Sequence, residues 1–175
     1  MIYKLKVTPA IYLVGFMASG KTTVGRLLAD RLGWHFIDLD ETIEQQQKTT
    51  IAEIFDTLGE EEFRRMETNA IRTVVHSVCC GVPTVVALGG GAFARAENFT
   101  LVEDHGVSVF LDCPLETVKE RVQKTSHRPL ARDMERFKQL YKDRAQVYCR
   151  ADYTVKISCD DPEVAVRAIE QLPLF

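Results

Sequence analysis

Short apolar segments alternate along the chain with longer stretches of helical periodicity. Five segments rich in Val, Ile and Leu are apolar almost throughout rather than at every second position, at 10–14, 35–37, 84–88, 107–111 and 153–157. Continuous apolar runs of this length are typical of parallel strands that helices cover on both faces. We therefore predict five strands of this kind.

Amphipathic helices are predicted between these strands. Apolar residues spaced by three and four share one helix face at Val24, Leu27, Leu28 and Leu32, and again at Phe63, Met66, Ala70 and Val74. Thr50 and Glu53 form a capping-box pair, and Asp161 before Pro162 can cap and open a last helix. The alternation predicts an α/β fold with an open parallel sheet between helix layers and ligands at the carboxyl ends of the strands.

Length and composition predict one globular domain over residues 1–175. With 46% hydrophobic and 27% charged residues, the chain can bury a sizeable core without a disulfide or metal. The 22 basic and 25 acidic residues give a net charge of −3, which argues against general nucleic-acid binding. We expect no targeting segment and no membrane span. The five cysteines show no paired spacing, so we expect reduced packing residues and a cytoplasmic location.

Residues 15–22, with the sequence GFMASGKT, match the phosphate-binding loop pattern G-x-x-x-x-G-K-[ST]. An apolar strand is predicted before this loop and an amphipathic helix after it, which is the setting that the pattern requires. Backbone N–H groups of such a loop and the helix N-terminus converge on a polyphosphate. Lys21 can bridge the β- and γ-phosphates, and the Thr22 hydroxyl can ligate Mg2+. The sequence therefore predicts nucleotide binding.

Two carboxylates, Asp38 and Asp40, follow the second predicted strand two residues apart. Such residues point the same way if the strand continues through them. Asp38 can then hold a magnesium-bound water, and Asp40 can position a substrate hydroxyl for attack on the γ-phosphate. The alternative for Asp40 is that it only caps the following helix.

Further candidates lie beyond these carboxylates. Arg64 and Glu67, at i and i+3 of one helix, form either an oriented guanidinium or a surface ion pair. The glycines 89–91 end a strand and suit close approach of a ligand to the backbone, with a loose loop as the alternative. Arg128 lies in a polar segment that could be a lid, and Arg144 lies on the helix after it; either could be an ordinary solvated charge.

In this order the segments closely resemble the shikimate kinases, a family within the nucleoside-monophosphate-kinase-like group of P-loop folds. The resemblance spans nearly the whole chain and rests on GFMASGKTTVGRLLA, FIDLDETIE, IAEIF, GEEEFRRME, LGGGA, HRPL and DRAQVY. It implies transfer of the γ-phosphoryl group of ATP to the 3-hydroxyl of shikimate, on the path to chorismate and aromatic amino acids. It also implies a three-layer α/β/α fold with five parallel strands in the order 2-3-1-4-5, a monomer, and a mobile lid at approximately 124–134.

The resemblance also implies roles for individual residues. Lys21 and Arg128 would hold the transferring phosphoryl group, and Asp40 would be the catalytic base. ATP would contact Ala18, Ser19, Gly20, Lys21, Thr22, Thr23, Arg121, Arg128 and Pro162. Shikimate would contact Asp40, Arg64, Gly89, Gly90, Gly91 and Arg144, with the two arginines on its carboxylate. Mg2+ would be bound by Thr22, with Asp38 behind it through water. Ala18 stands where many members have glycine, a change that we expect to be tolerated.

Two other functions stay open. The first is a kinase for another small hydroxylated acid such as gluconate, and the D-x-D, F-R-x-x-E and G-G-G segments argue against it. The second is a non-catalytic nucleotide-binding module. Such a module needs none of the residues on the substrate side, and the presence of Asp40, Arg64, Arg128 and Arg144 disfavours it.

Overall fold

A computed structural model of the protein describes residues 10–124 and 134–174. The strands in these ranges are Ala10–Val14 (β1), His35–Asp38 (β2), Thr84–Ala87 (β3), Val107–Asp112 (β4) and Tyr153–Lys156 (β5). The α-helices are Lys21–Leu32 (α1), Leu39–Gln47 (α2), Ile51–Leu58 (α3), Glu60–Cys79 (α4), Ala96–His105 (α5), Leu115–Lys124 (α6), Met134–Tyr148 (α7) and Pro162–Glu170 (α8). A short 3-10 helix, Ala92–Ala94, precedes α5.

The strands form one parallel sheet in the order β2-β3-β1-β4-β5, which confirms the order that the resemblance implies. The central strands β1 and β3 are buried at every position, as predicted for strands covered on both faces. The two edge strands differ from that prediction, because each has a neighbour on one side only and several of its residues reach solvent. Helices flank the sheet: α1 packs against α8, and α4 packs against α2, α3 and α5.

Local signals in the sequence set several helix ends. Thr50 caps α3 through a complete capping box with Glu53. Asp161 caps α8 and accepts a hydrogen bond from the backbone N–H of Glu163, with Pro162 as the first helical residue. Both helix starts were predicted. The segment before α8 follows the carboxyl end of β5. The Asp161 cap therefore begins α8 near the carboxyl ends of the strands, where ligands are expected.

The cysteine prediction is only partly right. All five cysteines are free thiols, but Cys113 is the one that is buried, and Cys79, Cys80, Cys149 and Cys159 are exposed. The exposed four lie at or beyond helix and strand ends, where the backbone leaves the core. Among the residues that the structure describes, no helix combines the length and apolar character that a bilayer crossing requires.

Gly25 lets α1 pack closely on one face of the sheet. A side-chain carbon added at this glycine would lie 2.5 Å from the Phe36 ring in β2 and 3.2 Å from Leu13 in β1. Glycine lowers helix propensity by about 1 kcal/mol relative to alanine, so its place in α1 has a packing reason. The close contact holds the helix that follows the 15–22 loop against the sheet.

We expect Gly25→Ala to lower the free energy of unfolding by up to about 2 kcal/mol. The overpacking cost of about 1–3 kcal/mol outweighs the gain of about 1 kcal/mol in helix propensity. Urea unfolding measures the change as a shift of the midpoint at an unchanged m-value. Adding Phe36→Leu to the same chain should recover part of the loss, since it removes the ring that the new methyl meets. A Gly25→Ala protein as stable as the wild type would contradict this account.

Candidate active site

The 15–22 loop has the unusual backbone that a phosphate cradle needs. Three of its residues have positive φ: Gly15 at 149°, Ala18 at 59° and Gly20 at 98°. A side-chain carbon at Gly15 would also lie 2.9 Å from the carbonyl oxygen of Leu111, so this glycine is needed for space. Ala18 adopts the left-handed conformation without being glycine, at a cost of roughly 1–2 kcal/mol. Alanine at position 18 is therefore compatible with this loop only at a cost in backbone conformational energy.

The reactive side chains of the loop are held by oxygen atoms. Lys21 Nζ donates to the carbonyl oxygens of Gly15 and Phe16, both at 2.9 Å. Thr22 Oγ1 donates to Asp38 Oδ2 at 2.6 Å. The Ser19 hydroxyl is buried and has no hydrogen-bond partner among the described residues. The ammonium group and the hydroxyls thus lie where the loop would meet phosphate oxygens.

The structure corrects the interpretation of Asp38 and Asp40. β2 ends at Asp38, which is the N-cap of α2 and accepts hydrogen bonds from the backbone N–H groups of Asp40 and Glu41 at 3.0 and 3.2 Å. We expected both carboxylates to project from one strand, and they do not. Asp40 lies in the first turn of α2, so the alternative that Asp40 is the cap is also wrong. Asp38 has the capping role, and Asp40 lines the same cavity as Asp38.

A cavity of about 510 Å3 brings most of the predicted nucleotide-side residues together. We call it the P-loop cavity; its lining includes Ala18, Ser19, Gly20, Lys21, Thr22, Thr23, Asp38, Asp40, Gly90, Arg121 and Pro162. Arg121 donates to the carbonyl oxygen of Ala18 at 3.0 Å and pairs with Asp160 at 2.6 Å. Arg128 lies outside the described residues, as does nearly all of the expected lid. The cavity lies at the carboxyl ends of the strands, where the fold predicts ligands.

A second cavity, of about 460 Å3, contains the predicted acid-binding arginines. We call it the arginine cavity; Arg64, Gly91 and Arg144 line it. The Arg64 side chain is 16% exposed and pairs with Glu67 at 3.0 Å and Glu60 at 3.2 Å. Because Glu67 is wholly buried, the surface-ion-pair alternative for Arg64 and Glu67 is wrong. Glu67 instead orients the Arg64 guanidinium from its buried side.

The glycine triplet lies between the two cavities and makes room for side chains of the protein. A carbon added at Gly89 would lie 2.7 Å from Asp40 Oδ1 and 2.7 Å from Glu67 Oε1. A carbon added at Gly91 would lie 2.5 Å from Arg64 Nη1. We expected a ligand in this space, but at these two glycines protein side chains fill it.

The triplet is also fixed in place, so the loose-loop alternative is wrong. The backbone N–H of Ala92 donates to the carbonyl oxygen of Gly89 at 3.1 Å. From α7, the Tyr148 hydroxyl donates to the carbonyl oxygen of Gly90, and Arg144 Nη1 donates to that of Gly91 at 3.4 Å. Arg144 is half-buried by these contacts rather than solvated. Gly90 has no close obstacle over its Cα, and it lines the P-loop cavity.

Burial dominates the electrostatics behind the triplet. Burial raises the pKa of the Glu67 carboxyl, the adjacent Arg64 opposes this effect, and the Asp40 carboxylate adds to it. Glu67 Oε1 has no hydrogen-bond partner among the described residues, although its other oxygen accepts from Arg64. Burial also raises the pKa of the Tyr148 hydroxyl, which keeps it a hydrogen-bond donor. Arg64 and Arg144 both favour the charged form of Glu67 and so oppose the effect of burial on its pKa.

Sequence reasoning missed three residues of this arrangement: Glu60, Tyr148 and Asp160. Glu60 lies four residues before Arg64, and Tyr148 lies four residues after Arg144. Each is therefore on the same helix face as its arginine, and the four-residue spacing in the sequence indicates this. Asp160 lies between β5 and α8, at the strand-end side of the sheet, and no local pattern pointed to its partner Arg121.

The donor set around Thr22 fits a magnesium ion bound together with a nucleotide. One hydroxyl and one carboxylate, 2.6 Å apart, offer the oxygen ligands that Mg2+ prefers. Within residues 10–124 and 134–174, no cluster of three or more His, Cys, Asp or Glu side chains is arranged to hold a metal. Such a sparse protein ligand set is typical of Mg2+ sites in which phosphates and water complete the coordination.

Comparisons with known proteins agree on one family. A family model described as "Shikimate kinase" matches residues 17–173. The shikimate kinase of Persephonella marina is 39% identical over 160 residues, covering 91% of this chain and 95% of that protein. The shikimate kinase of Gloeobacter violaceus is 40% identical and covers 93% of this chain and 92% of its own length. A structure of shikimate kinase from Acinetobacter baumannii in complex with shikimate superimposes with a TM-score of 0.86 at 35% identity, covering 95% and 93% of the two chains.

The buried carboxyl of Glu67 should make stability depend on pH. Its pKa is raised in the folded protein, so the fold binds this proton more tightly than the unfolded chain does. The stabilisation is complete below the unfolded pKa of about 4.5 and is lost as pH rises through the folded pKa. Compared with Glu67→Gln, the wild type should therefore lose unfolding free energy as pH rises from about 4.5. Urea unfolding of both proteins across pH 4–8 measures this difference in unfolding free energy.

Glu53 provides an internal comparison of opposite sign. Hydrogen bonds from Thr49 and Thr50 lower its pKa to about 2, so its stabilisation is present above about 4.5 and is lost as pH falls towards 2. Glu53→Gln should flatten the acid side of the stability curve only. Parallel curves for the wild type and Glu67→Gln between pH 4.5 and 8 would show that Glu67 is not the buried acid described here.

Proposed function

The chain belongs to the shikimate kinase family, and we propose that it transfers the γ-phosphoryl group of ATP to the 3-hydroxyl of shikimate, giving ADP and shikimate 3-phosphate. The observation that carries the proposal is the meeting of two cavities at the glycine triplet. One contains a phosphate-binding loop, and the other contains two arginines suited to a carboxylate. The structure of a relative from Acinetobacter baumannii contains bound shikimate. Kinases for other acids and a non-catalytic module are not favoured.

Arg64 and Arg144 would bind the carboxylate of shikimate. Planar guanidinium groups make paired, charge-assisted hydrogen bonds to carboxylates. Arg64 is oriented before any ligand arrives, because Glu67 and Glu60 hold it from two sides. Arg144 reaches the same place from α7 through its contact with the Gly91 carbonyl. Such preorientation reduces the entropy lost on binding.

Asp40 would position the hydroxyl that attacks. Its carboxylate lies over Gly89, between the buried Glu67 and the P-loop cavity. The hydroxyl oxygen forms a bond to the γ-phosphorus while the bond from that phosphorus to the β–γ bridging oxygen breaks, and the hydroxyl proton passes to Asp40. The transition state is loose, so orientation of the hydroxyl matters more than early proton removal.

Lys21 would neutralise the charge that develops on the phosphates. It lies at the N-terminus of α1, where backbone N–H groups and the helix dipole also favour anions. On nucleotide binding its ammonium group would exchange the carbonyl oxygens of Gly15 and Phe16 for β- and γ-phosphate oxygens. The resemblance assigns Arg128 to the same phosphoryl group. Arg121 and Pro162, which also line the P-loop cavity, would flank the adenine.

Thr22 and Asp38 would hold Mg2+, Thr22 directly and Asp38 through water. When bound, this ion supplies positive charge that neutralises the β- and γ-phosphate oxygens. The capping role of Asp38 restricts its carboxylate to one orientation, because one oxygen accepts from the α2 backbone and the other accepts from Thr22. This arrangement suits a residue that orients a water rather than one that changes rotamer during turnover.

We also propose a cytoplasmic monomer. All five cysteines are free, and four of them are exposed, which is typical of a reducing compartment. The monomer rests on the resemblance to the shikimate kinases.

The proposed function is tested by an ADP-release assay with ATP, Mg2+ and an acceptor. We expect turnover with shikimate, little with gluconate, and loss of turnover in Lys21→Ala because the transferring phosphoryl group loses its positive partner. Turnover with gluconate as fast as with shikimate would point to the other acid kinase. ATP binding without ADP release with any acceptor would point to a non-catalytic module.

Gly91→Ala should impair shikimate use through Arg64. The new methyl would lie 2.5 Å from Arg64 Nη1, so the guanidinium must move away from its Glu67 contact. We expect the KM for shikimate to rise at least about tenfold, since displacing one partner of a buried charge pair costs about 2–5 kcal/mol. The KM for ATP should change little. Steady-state kinetics with each substrate varied separately measure both.

A double variant tests whether this effect acts through Arg64. Arg64→Ala removes the same interaction, so Gly91→Ala combined with Arg64→Ala should be no worse than Arg64→Ala alone. Additive losses in the double variant would mean that Gly91 acts by another route.

A further inference from the structure

The arginine cavity contains a third guanidinium group that has no role in the site described so far. Arg95 lines this cavity together with Arg64 and Arg144. Glu60 and Glu61 are the acidic residues of the lining, and the buried Glu67 contacts Arg64 from behind the cavity. Arg95 is therefore the arginine of this cavity that the proposed binding of the substrate carboxylate by Arg64 and Arg144 leaves without a role.

The backbone of Arg95 is firmly held close to the glycine triplet. Arg95 follows the 3-10 helix that begins after Gly91, and its N–H donates to the carbonyl oxygen of Ala92 at 3.3 Å. Its own carbonyl oxygen accepts from the N–H of Phe99 at 2.9 Å in the first turn of α5. Two helices thus fix the base of the side chain, and only the guanidinium end has room to move.

The guanidinium of Arg95 is held much more weakly than that of Arg64. It lies 3.4 Å from the Glu61 carboxylate, and the two side chains are 35% and 88% exposed. Exposed pairs of this kind contribute little to stability. Arg64, in contrast, contacts the wholly buried Glu67 and is 16% exposed. An incoming carboxylate can therefore replace Glu61 on Arg95 easily, whereas it must share Arg64 with Glu67.

We propose that Arg95 is an outer carboxylate-binding residue that captures the acid group of the substrate and passes it to Arg64 and Arg144. Glu61 is its partner in the free protein and is exchanged for the substrate carboxylate. This inference rests on the proposed function, because it concerns the acid end of the same substrate. A charge at the rim of a binding site acts mainly on the association rate and its salt dependence.

The test is steady-state kinetics of Arg95→Gln at several salt concentrations. The KM for shikimate should rise about three- to tenfold at low salt, with kcat within about twofold and the KM for ATP unchanged. The fall of kcat/KM with added salt should be shallower than in the wild type. Arg95→Lys keeps the charge and should retain most of the salt dependence. Glu61→Gln removes the competing carboxylate and should lower the KM for shikimate.

Arg72→Gln is the matched control. Arg72 also pairs across α4 and α5, with Glu97, and it lines a neighbouring cleft rather than the arginine cavity. The charge lost is the same, so an equal rise in KM in both variants would mean a general charge effect and would overturn the proposal. An unchanged KM in Arg95→Gln would overturn it as well.

The outcome for Arg95 is separable from the proposed function. Wild-type turnover of shikimate tests the function, and the Arg95 variants are compared only with that rate. Turnover by the wild type with no effect of Arg95→Gln would leave the kinase assignment standing and remove Arg95 from the site. A kcat loss as large as the KM effect, with a lowered unfolding midpoint, would assign Arg95 a structural role instead.

Discussion

The site depends on the absence of side chains at Gly89 and Gly91, because other groups of the protein need the space over this backbone. The Asp40 and Glu67 carboxylates occupy the position of a missing side chain at Gly89, and the Arg64 guanidinium does so at Gly91. A single methyl at either glycine would move the group proposed to orient the acceptor or the group proposed to bind its acid end. The two cavities are therefore coupled by sterics, through a segment that Tyr148 and Arg144 hold in register.

The same arrangement suits the anion binding that we propose for this acidic chain. Arg64 and Arg144 come together at Gly91 and would repel each other without a counter-charge. Glu67 accepts a hydrogen bond from Arg64 on the buried side, and Glu60 pairs with Arg64 at the surface. The arginines are thereby kept in place while their outer faces stay available for a carboxylate. An uncompensated pair of guanidiniums could not be oriented as tightly before binding.

The sequence predicted the parts that depend on local chemistry. Periodicity located all five strands, and the loop pattern located the P-loop cavity, because strand burial and phosphate cradles each impose a short-range rule on residue type. It failed where a role depends on tertiary contacts. Whether Asp38 or Asp40 caps α2 is decided by the residue at which β2 ends. The space at Gly89 and Gly91 is filled by side chains from α2 and α4, which no pattern around the triplet reveals.

The P-loop has a corresponding dependence on distant parts of the chain. Ala18 keeps a left-handed backbone that glycine would adopt at lower cost, and its carbonyl oxygen accepts a hydrogen bond from Arg121 on α6. Arg121 is in turn paired with Asp160, next to the cap of α8. The contact thus links the loop conformation to α6 and to the segment before α8, both of which line the P-loop cavity. The left-handed residue of the loop is therefore held by a side chain that also lines the P-loop cavity.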